Sequence, residues 1–259
     1  MDIKVSIITP VYNSEETIKE NILSIKKQNY KNIEHIIVDG NSSDKTLEIV
    51  NKYKIENTII ISEKDNGIYD AWNKGLKIAS GDIIGAVMSD DFLNNENVIS
   101  KIVEKFQINN CDILYANMDF LLEKEIVRKW RAGNFKKRNY YFGWMPPTPT
   151  VYFKKYIVRK EGYFNLKYKI ASDYDFFLRI FFISNYKIFY LDEFIYTLRL
   201  GGESTKSIKN ILKSNIECYD AWIENKLSLF PFWMILKPLL KIFQIKRFIN
   251  FIKYYLKAL

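Results

Sequence analysis

Acidic residues at a few places along this chain have the spacing that chemistry on a phosphorylated substrate requires. Ser89-Asp90-Asp91 places two carboxylates side by side directly after an apolar run, Ile83 to Met88. Adjacent carboxylates repel unless a cation or hydrogen bonds hold them. A divalent ion that also grips a diphosphate is one way to satisfy them, because carboxylate and phosphate oxygens suit Mg2+ or Mn2+. Asp173-Tyr174-Asp175 lies much later, ahead of the apolar run Phe176 to Ile183. An aspartate there can cap a helix, or it can serve as a general base toward a hydroxyl. Asp39 closes another apolar run, where its carboxylate can accept the imide N–H of a uracil or thymine ring, and Tyr12 offers a face for stacking.

Composition narrows the options. The chain has one histidine, His35, and two cysteines, Cys111 and Cys218. So little histidine and cysteine excludes a disulfide framework and a Cys-rich zinc site. Any metal must be held mainly by oxygen, again Mn2+ or Mg2+. His35 lies inside a strand pattern with no nucleophile motif beside it, so it reads as a structural residue and not as part of a Ser-His-Asp triad.

The elements that position these residues follow from periodicity. Strand patterns occur at Lys4 to Thr9, Ile33 to Val38, Thr58 to Ile61 and Ile83 to Met88. Helical patterns lie between them: Ile18, Ile22 and Ile25 after an Asn13/Glu16 capping box, Leu47 and Val50 after Ser42-Ser43-Asp44, and Ile68 to Ala79. That alternation predicts βαβ units and a buried, parallel sheet. Ligands bind such sheets beyond the carboxyl ends of the strands. Every strand there ends in acidic, amide or glycine residues: Tyr12-Asn13, Asp39-Gly40-Asn41, Asp65-Asn66-Gly67 and Ser89-Asp90-Asp91. A helix follows at Val98 to Phe106, strands at Asp112 to Asn117 and Met118 to Leu122, and an irregular segment through Pro146, Pro147 and Pro149. The pattern then gives a helix over Asp173 to Ser184 and strands over Ile188 to Leu191 and Phe194 to Leu200.

In this order the motifs resemble the inverting family 2 glycosyltransferases of GT-A fold, particularly bacterial members that build surface polysaccharide. The resemblance runs from Lys4 to Ser204 through VSIITPVYNSEETI, HIIVDGNSSDKT, EKDNGIYDAWNKGLKIASGDIIGAVMSDD, GWMPPTPTVYFKK, KIASDYDFFLRI and RLGGES. It implies an α/β, Rossmann-like, mostly parallel sheet flanked by helices. It implies a nucleotide-sugar-binding half over 1–117 and an acceptor-binding half over 118–204. Thr9, Pro10, Val11, Tyr12 and Asp39 would hold the nucleotide base. Asp65, Gly67, Asp70 and Asn73, with Ser89 and Asp90, would line the donor pocket. Asp90 and Asp91 would meet the metal, chiefly through Asp91, and Asp173 would be the general base. The donor would be a nucleotide-diphosphate sugar, such as a UDP-sugar, and the acceptor a saccharide hydroxyl, on a polyprenyl-diphosphate lipid. Two positions depart from the pattern: Met88 stands where a longer acidic motif begins, and Thr148 stands where close relatives carry histidine.

The formal net charge is +9. From Asn225 onward no acidic residue occurs, while Lys237, Lys241, Lys246, Arg247, Lys253 and Lys257 alternate with Phe230, Trp233, Phe243, Phe248 and Phe251. That composition suits an interfacial amphipathic segment on an anionic membrane better than a nucleic-acid groove. Residues 205–259 therefore read as a helical, membrane-associating extension of a cytoplasmic protein, peripheral on the inner face of the membrane. The opening residues do not read as a signal peptide, and no run of about 18 apolar residues suggests a spanning helix. A nucleotidyltransferase or dehydrogenase is disfavoured because no glycine-rich phosphate loop follows the first strand. The remaining alternative is a non-catalytic, membrane-associated protein that binds nucleotide-sugar or saccharide.

Overall fold

The computed structural model describes residues 2–142, 144–200 and 208–227. β1 (Val5–Val11), β2 (Ile33–Asp39), β3 (Thr58–Ser62) and β4 (Ile83–Ala86) pair in parallel in the order β3-β2-β1-β4. Every residue of β1 and β2 is buried, as expected for strands covered on both faces. The intervening helices are α1 (Ile18–Lys26), α2 (Thr46–Tyr53) and α3 (Ile68–Ile78). Ile18, Ile22 and Ile25 of α1 are buried, and Ala71, Trp72, Gly75 and Leu76 of α3 face the sheet.

Beyond β4 the sheet becomes mixed. After β5 (Phe92–Leu93) and α4 (Val98–Asn109) come β6 (Ile113–Leu122), β7 (Glu125–Trp130) and β8 (Tyr152–Lys154). The chain continues through α5 (Tyr156–Glu161) and α6 (Ser172–Phe177) to a π-helical turn at Leu178–Ile183. β9 (Ile188–Arg199) and α7 (Ile208–Glu224) complete the described elements. β8 lies antiparallel between β4 and β6, β9 runs parallel to β6, and β5 pairs antiparallel with β9. The sheet is thus mostly parallel, as expected: β3-β2-β1-β4 and β6-β9 pair in parallel, while β5, β7 and β8 pair antiparallel.

Several boundaries differ for identifiable reasons. The strand expected to break at Asn117 is one strand with register shifts between Ala116 and Met118. There the buried Asn117 amide donates to Asp192 and accepts from Ala132 N–H and Tyr190 OH. The expected Asn13/Glu16 capping box is absent. Asn13 adopts a left-handed conformation, its side-chain Oδ1 accepts from Ser43 N–H, and α1 starts only at Ile18. The helix expected over Asp173 to Ser184 splits into α6 and the π turn, a form of irregularity that frequently marks functional sites.

The described part of the expected 205–259 extension is α7, and it packs into the domain core. Cys218, Ala221 and Trp222 are buried in the same cluster as Tyr174, Phe177 and Phe182. Trp222 lies against Tyr141 and Phe182 at 5.5 and 5.2 Å between ring centroids. Among the described residues no helix is long and apolar enough to cross a membrane. The basic and aromatic residues from Phe230 onward lie outside the described residues.

Candidate active site

The parallel pairing of β1 to β4 brings their following loops to one sheet edge. Tyr12 leaves β1 with its ring 64% exposed. Gly40 follows β2, and a Cβ there would come within 2.7 Å of Asp65 Oδ2 and 3.3 Å of the Tyr12 ring. Tyr12, Gly40 and Asp65 therefore meet at the ends of three strands, with the missing side chain leaving the gap between ring and carboxylate. Asp65 is held by Gly67 N–H at 2.8 Å, and Gly67 has a positive φ that a side chain would strain. Asp39 is buried beneath and accepts from Ser42 N–H, Ser42 Oγ and Ser62 Oγ.

Other expected donor residues have structural work in this arrangement. Thr9 is fully buried and shares a 3.0 Å hydrogen bond with His35. Pro10 and Val11 are buried strand residues paired with Val38 and Asp39. Asp70, at the third residue of α3, accepts from Asn66 N–H at 3.0 Å and from the Asn66 amide at 3.2 Å, which ties the preceding turn to the first turn of the helix. Asn73 is buried and pairs both ways with the Phe164 backbone, at 2.9 and 3.0 Å. Its amide staples α3 to the segment that leads toward Asp173.

The aspartate loop is built from below and behind. Asn21 of α1 is buried and donates to Met88 and Asp91 carbonyls at 2.6 and 3.2 Å. Ser14 donates to Ser89 at 3.0 Å. Tyr196 OH accepts from Met88 N–H and donates to Asp91 Oδ2, both at 2.9 Å. Asp91 Oδ1 accepts from Arg199 N–H at 2.8 Å, and the Arg199 guanidinium reaches the Asp90 carbonyl and the Glu20 carboxylate. Both Asp91 oxygens are thus taken up inside the protein, where only 2% of the residue is exposed. Asp91, to which the resemblance gives the chief metal contact, thus also ties the loop to β9. Asp90 differs: among the described residues no side chain donates to its carboxylate. Burial raises the Asp90 carboxyl above its ordinary range, opposed by Arg199. Burial and then the Asp90 charge push Asp91 well above.

A divalent cation fits this loop in a limited way. Among the described residues no three His, Cys, Asp or Glu side chains group as a cage. Asp90 is a single hard oxygen donor, raised by desolvation, and Mg2+ is commonly held by one or two carboxylates plus substrate phosphates.

Asp173 reaches the same edge from the other half of the chain. Its Oδ2 accepts from Thr148 Oγ1 at 2.7 Å, and its Oδ1 accepts from Tyr69 OH at 3.1 Å and from Tyr174 N–H at 2.8 Å. Tyr69 belongs to the Gly67-to-Asp70 turn of the donor side. Thr148 shares the wall of a small apolar cavity with Ala86, the last residue of β4. Asp173 is thus linked through Thr148 to the wall at the end of β4, the strand that precedes the aspartate loop. Burial, then the Asp173 charge, raises Tyr69 well above an ordinary phenol, so its hydroxyl stays protonated as a donor.

Such a sheet, with an exposed tyrosine after its first strand, an aspartate loop after the fourth and Asp173 bonded to Tyr69 and Thr148, is that of a GT-A glycosyltransferase. Residues 6–184 match glycosyl transferase family 2, and the chain belongs to that family. An uncharacterised glycosyltransferase of Mycobacterium tuberculosis is 30% identical over 179 residues, 68% of each chain. A PGL/p-HBAD biosynthesis glycosyltransferase of Mycobacterium bovis BCG is 27% identical over 180 residues, 68% of this chain and 69% of that one. Among solved structures, S. aureus TarS 1–349 in complex with UDP-GlcNAc superposes with a TM-score of 0.68 at 25% identity, covering 85% of this chain and 64% of that one. The longer TarS structure is covered over only 39% of its length. The mannosyltransferase PcManGT from Pyrobaculum calidifontis, in complex with GDP-Man and Mn2+, shares the fold, with a TM-score of 0.66 at 16% identity and 91% of this chain covered.

Sequence reasoning did not single out Asn21, Tyr196 or Glu217, which hold the site's loops. Tyr69 was visible only as part of a turn motif. Thr148 was noted as a departure, without its bond to Asp173. The Gly201-to-Ser204 loop lies outside the described residues.

Proposed function

We propose that this enzyme transfers a sugar, with inversion, from a UDP-sugar to a saccharide hydroxyl on a polyprenyl-diphosphate lipid, in surface polysaccharide synthesis at an anionic membrane face. The observation that carries the reading is the meeting of Asp173 with Tyr69 and Thr148 beside the end of β4. TarS and PcManGT, which share the fold, were solved with UDP-GlcNAc and with GDP-Man and Mn2+, which supports a nucleotide-sugar donor and a divalent cation here.

In this reading Tyr12 stacks on the base, Asp39 accepts its imide N–H, and Asp65 and the Gly67 turn border the ribose and diphosphate. Asp90 would hold Mn2+ or Mg2+, which would supply neutralisation of charge on the departing diphosphate. Asp91 acts through the loop. Asp173 takes the proton of the acceptor hydroxyl as its oxygen bonds to the anomeric carbon, and the bond from that carbon to the diphosphate breaks on the opposite face. Tyr69 and Thr148 aim the Asp173 oxygens. The segment after Leu227 supplies the membrane contact through its lysines and aromatics.

The test is incubation with a panel of UDP- and dTDP-sugars plus Mn2+ and measurement of nucleoside diphosphate release. Turnover with at least one donor is expected. Asp173→Asn should lower transfer by about 10²–10⁴-fold with UDP affinity unchanged, and undiminished transfer would remove Asp173 from the role of base. Flotation with anionic liposomes should show binding that is lost when residues after Leu227 are deleted; binding unaffected by the deletion would remove the membrane contact from the proposal.

A further inference from the structure

We infer that Glu217, on α7 and beyond the residues that match the family, is the positioning residue that sets Asp173 for transfer. The inference rests on the proposed role of Asp173 as base. Glu217 is buried, with 7% of its surface exposed. Its Oε2 accepts from Ile170 N–H and Ala171 N–H, both at 2.8 Å, and its Oε1 accepts from Lys169 N–H at 3.1 Å. Three consecutive amides converging on one carboxylate form an anion-binding nest, here filled from another element of the same chain.

The nest lies immediately before the catalytic helix. Ala171 is the residue that caps α6, and it has no side-chain acceptor with which to do so. Asp173 is the second residue of that helix. The orientation of the first turn, and hence of Asp173, is therefore fixed by what holds residues 169–171. From one side that is Glu217. From the other it is Tyr69, whose hydroxyl meets the Ile170 carbonyl at 2.7 Å as well as Asp173. α7 adds further grips along the same face: Glu224 pairs with Lys167 and accepts from Tyr168 OH at 2.7 Å, and Asn225 donates to Asp175 at 2.9 Å. Lys213, 4.0 Å from Glu217, is the nearest countercharge and is half exposed, so the three amides are the principal partners of this buried carboxylate.

Among the described residues of the donor side, only the Gly67-to-Asp70 turn, through Tyr69, touches residues 169–171. Tyr12, Asp39, Asp65 and the aspartate loop are held by α1, β9 and their own strand ends. Loss of Glu217 should therefore separate transfer from donor binding. For Glu217→Ala in the full chain, kcat should fall about a hundredfold, the size expected when a catalytic group is displaced by around an ångström, while the donor KM and the affinity for UDP with Mn2+ stay within about twofold. Glu217→Gln keeps one oxygen for the Ile170 and Ala171 amides but turns a donor toward Lys169, so about tenfold should be lost. Hydrogen exchange should rise at residues 169–175 in Glu217→Ala and stay at the wild-type level in β1 to β4.

Unchanged exchange at 169–175 in Glu217→Ala overturns the inference, as does a folded variant with wild-type kcat. A rise in donor KM that matches the fall in kcat overturns it too, because that places the damage in donor binding as well as in transfer. If Asp173→Asn keeps full transfer while Glu217→Ala still loosens 169–175, the base assignment fails and the anchoring stands.

Discussion

Replacing each aspartate of the Ser89-Asp90-Asp91 loop in turn should produce opposite defects. Asp91→Ala removes the acceptor of two donors. One is the hydroxyl of Tyr196, which is fully buried, and the other is the backbone N–H of Arg199. Each buried donor left unpaired costs about 1–3 kcal/mol. Part of this returns, because a desolvated carboxyl repelled by Asp90 is also removed. The balance is a loss of about 3 kcal/mol, which for a chain of this size lowers Tm by roughly 6–12 °C. Asp90→Ala removes a carboxylate to which no described side chain donates, so stability should change by less than about 0.5 kcal/mol. Thermal unfolding without metal measures the first effect. Repeating it with UDP and Mn2+ measures the second: wild type should gain stability from Mn2+ with UDP, and Asp90→Ala should lose that gain. A metal-free Tm unchanged in Asp91→Ala, or a ligand-induced gain kept in Asp90→Ala, would refute this division of roles.

Gly40→Ala should weaken UDP binding by about tenfold or more, because the added Cβ meets Asp65 Oδ2 at 2.7 Å and pushes into the gap beside Tyr12; titration calorimetry reads this, and stability should change little because Tyr12 is exposed. His35 should make folding sensitive to acid. Its folded-state pKa is lowered to about 3 by burial, below the unfolded value of about 6.5. The unfolded chain then binds the extra proton first, so this contribution is complete above pH 6.5 and is lost as pH falls from there toward 3. The limiting slope is about 1.4 kcal/mol per pH unit. Urea unfolding at pH 7.5 and 5 should show it, and His35→Gln should flatten the dependence.

Much of the donor half was legible in the sequence because its signals are local. Alternation of β-branched runs with helical periodicity located β1 to β4 and α1 to α3, and parallel pairing then required their terminal loops to share an edge. Aspartates after those strands could be read as a ligand edge without coordinates. The ordered motifs named the family and marked Asp173.

What the tertiary structure decided was which side chains are free. Asp90 and Asp91 are neighbours of identical type, and only the arrival of Tyr196 and Arg199, more than 100 residues later, commits one of them to the interior. Asn73 and Phe164 are 91 residues apart, so no local pattern could show that Asn73 is a staple. Glu217 lies in the stretch after Ser204 that the sequence reading took as a helical extension, and its carboxylate closes on three amides just before Asp173. Periodicity reports the face of an element, whereas hydrogen-bond commitment depends on which distant element packs against it, and that is settled only when the chain folds.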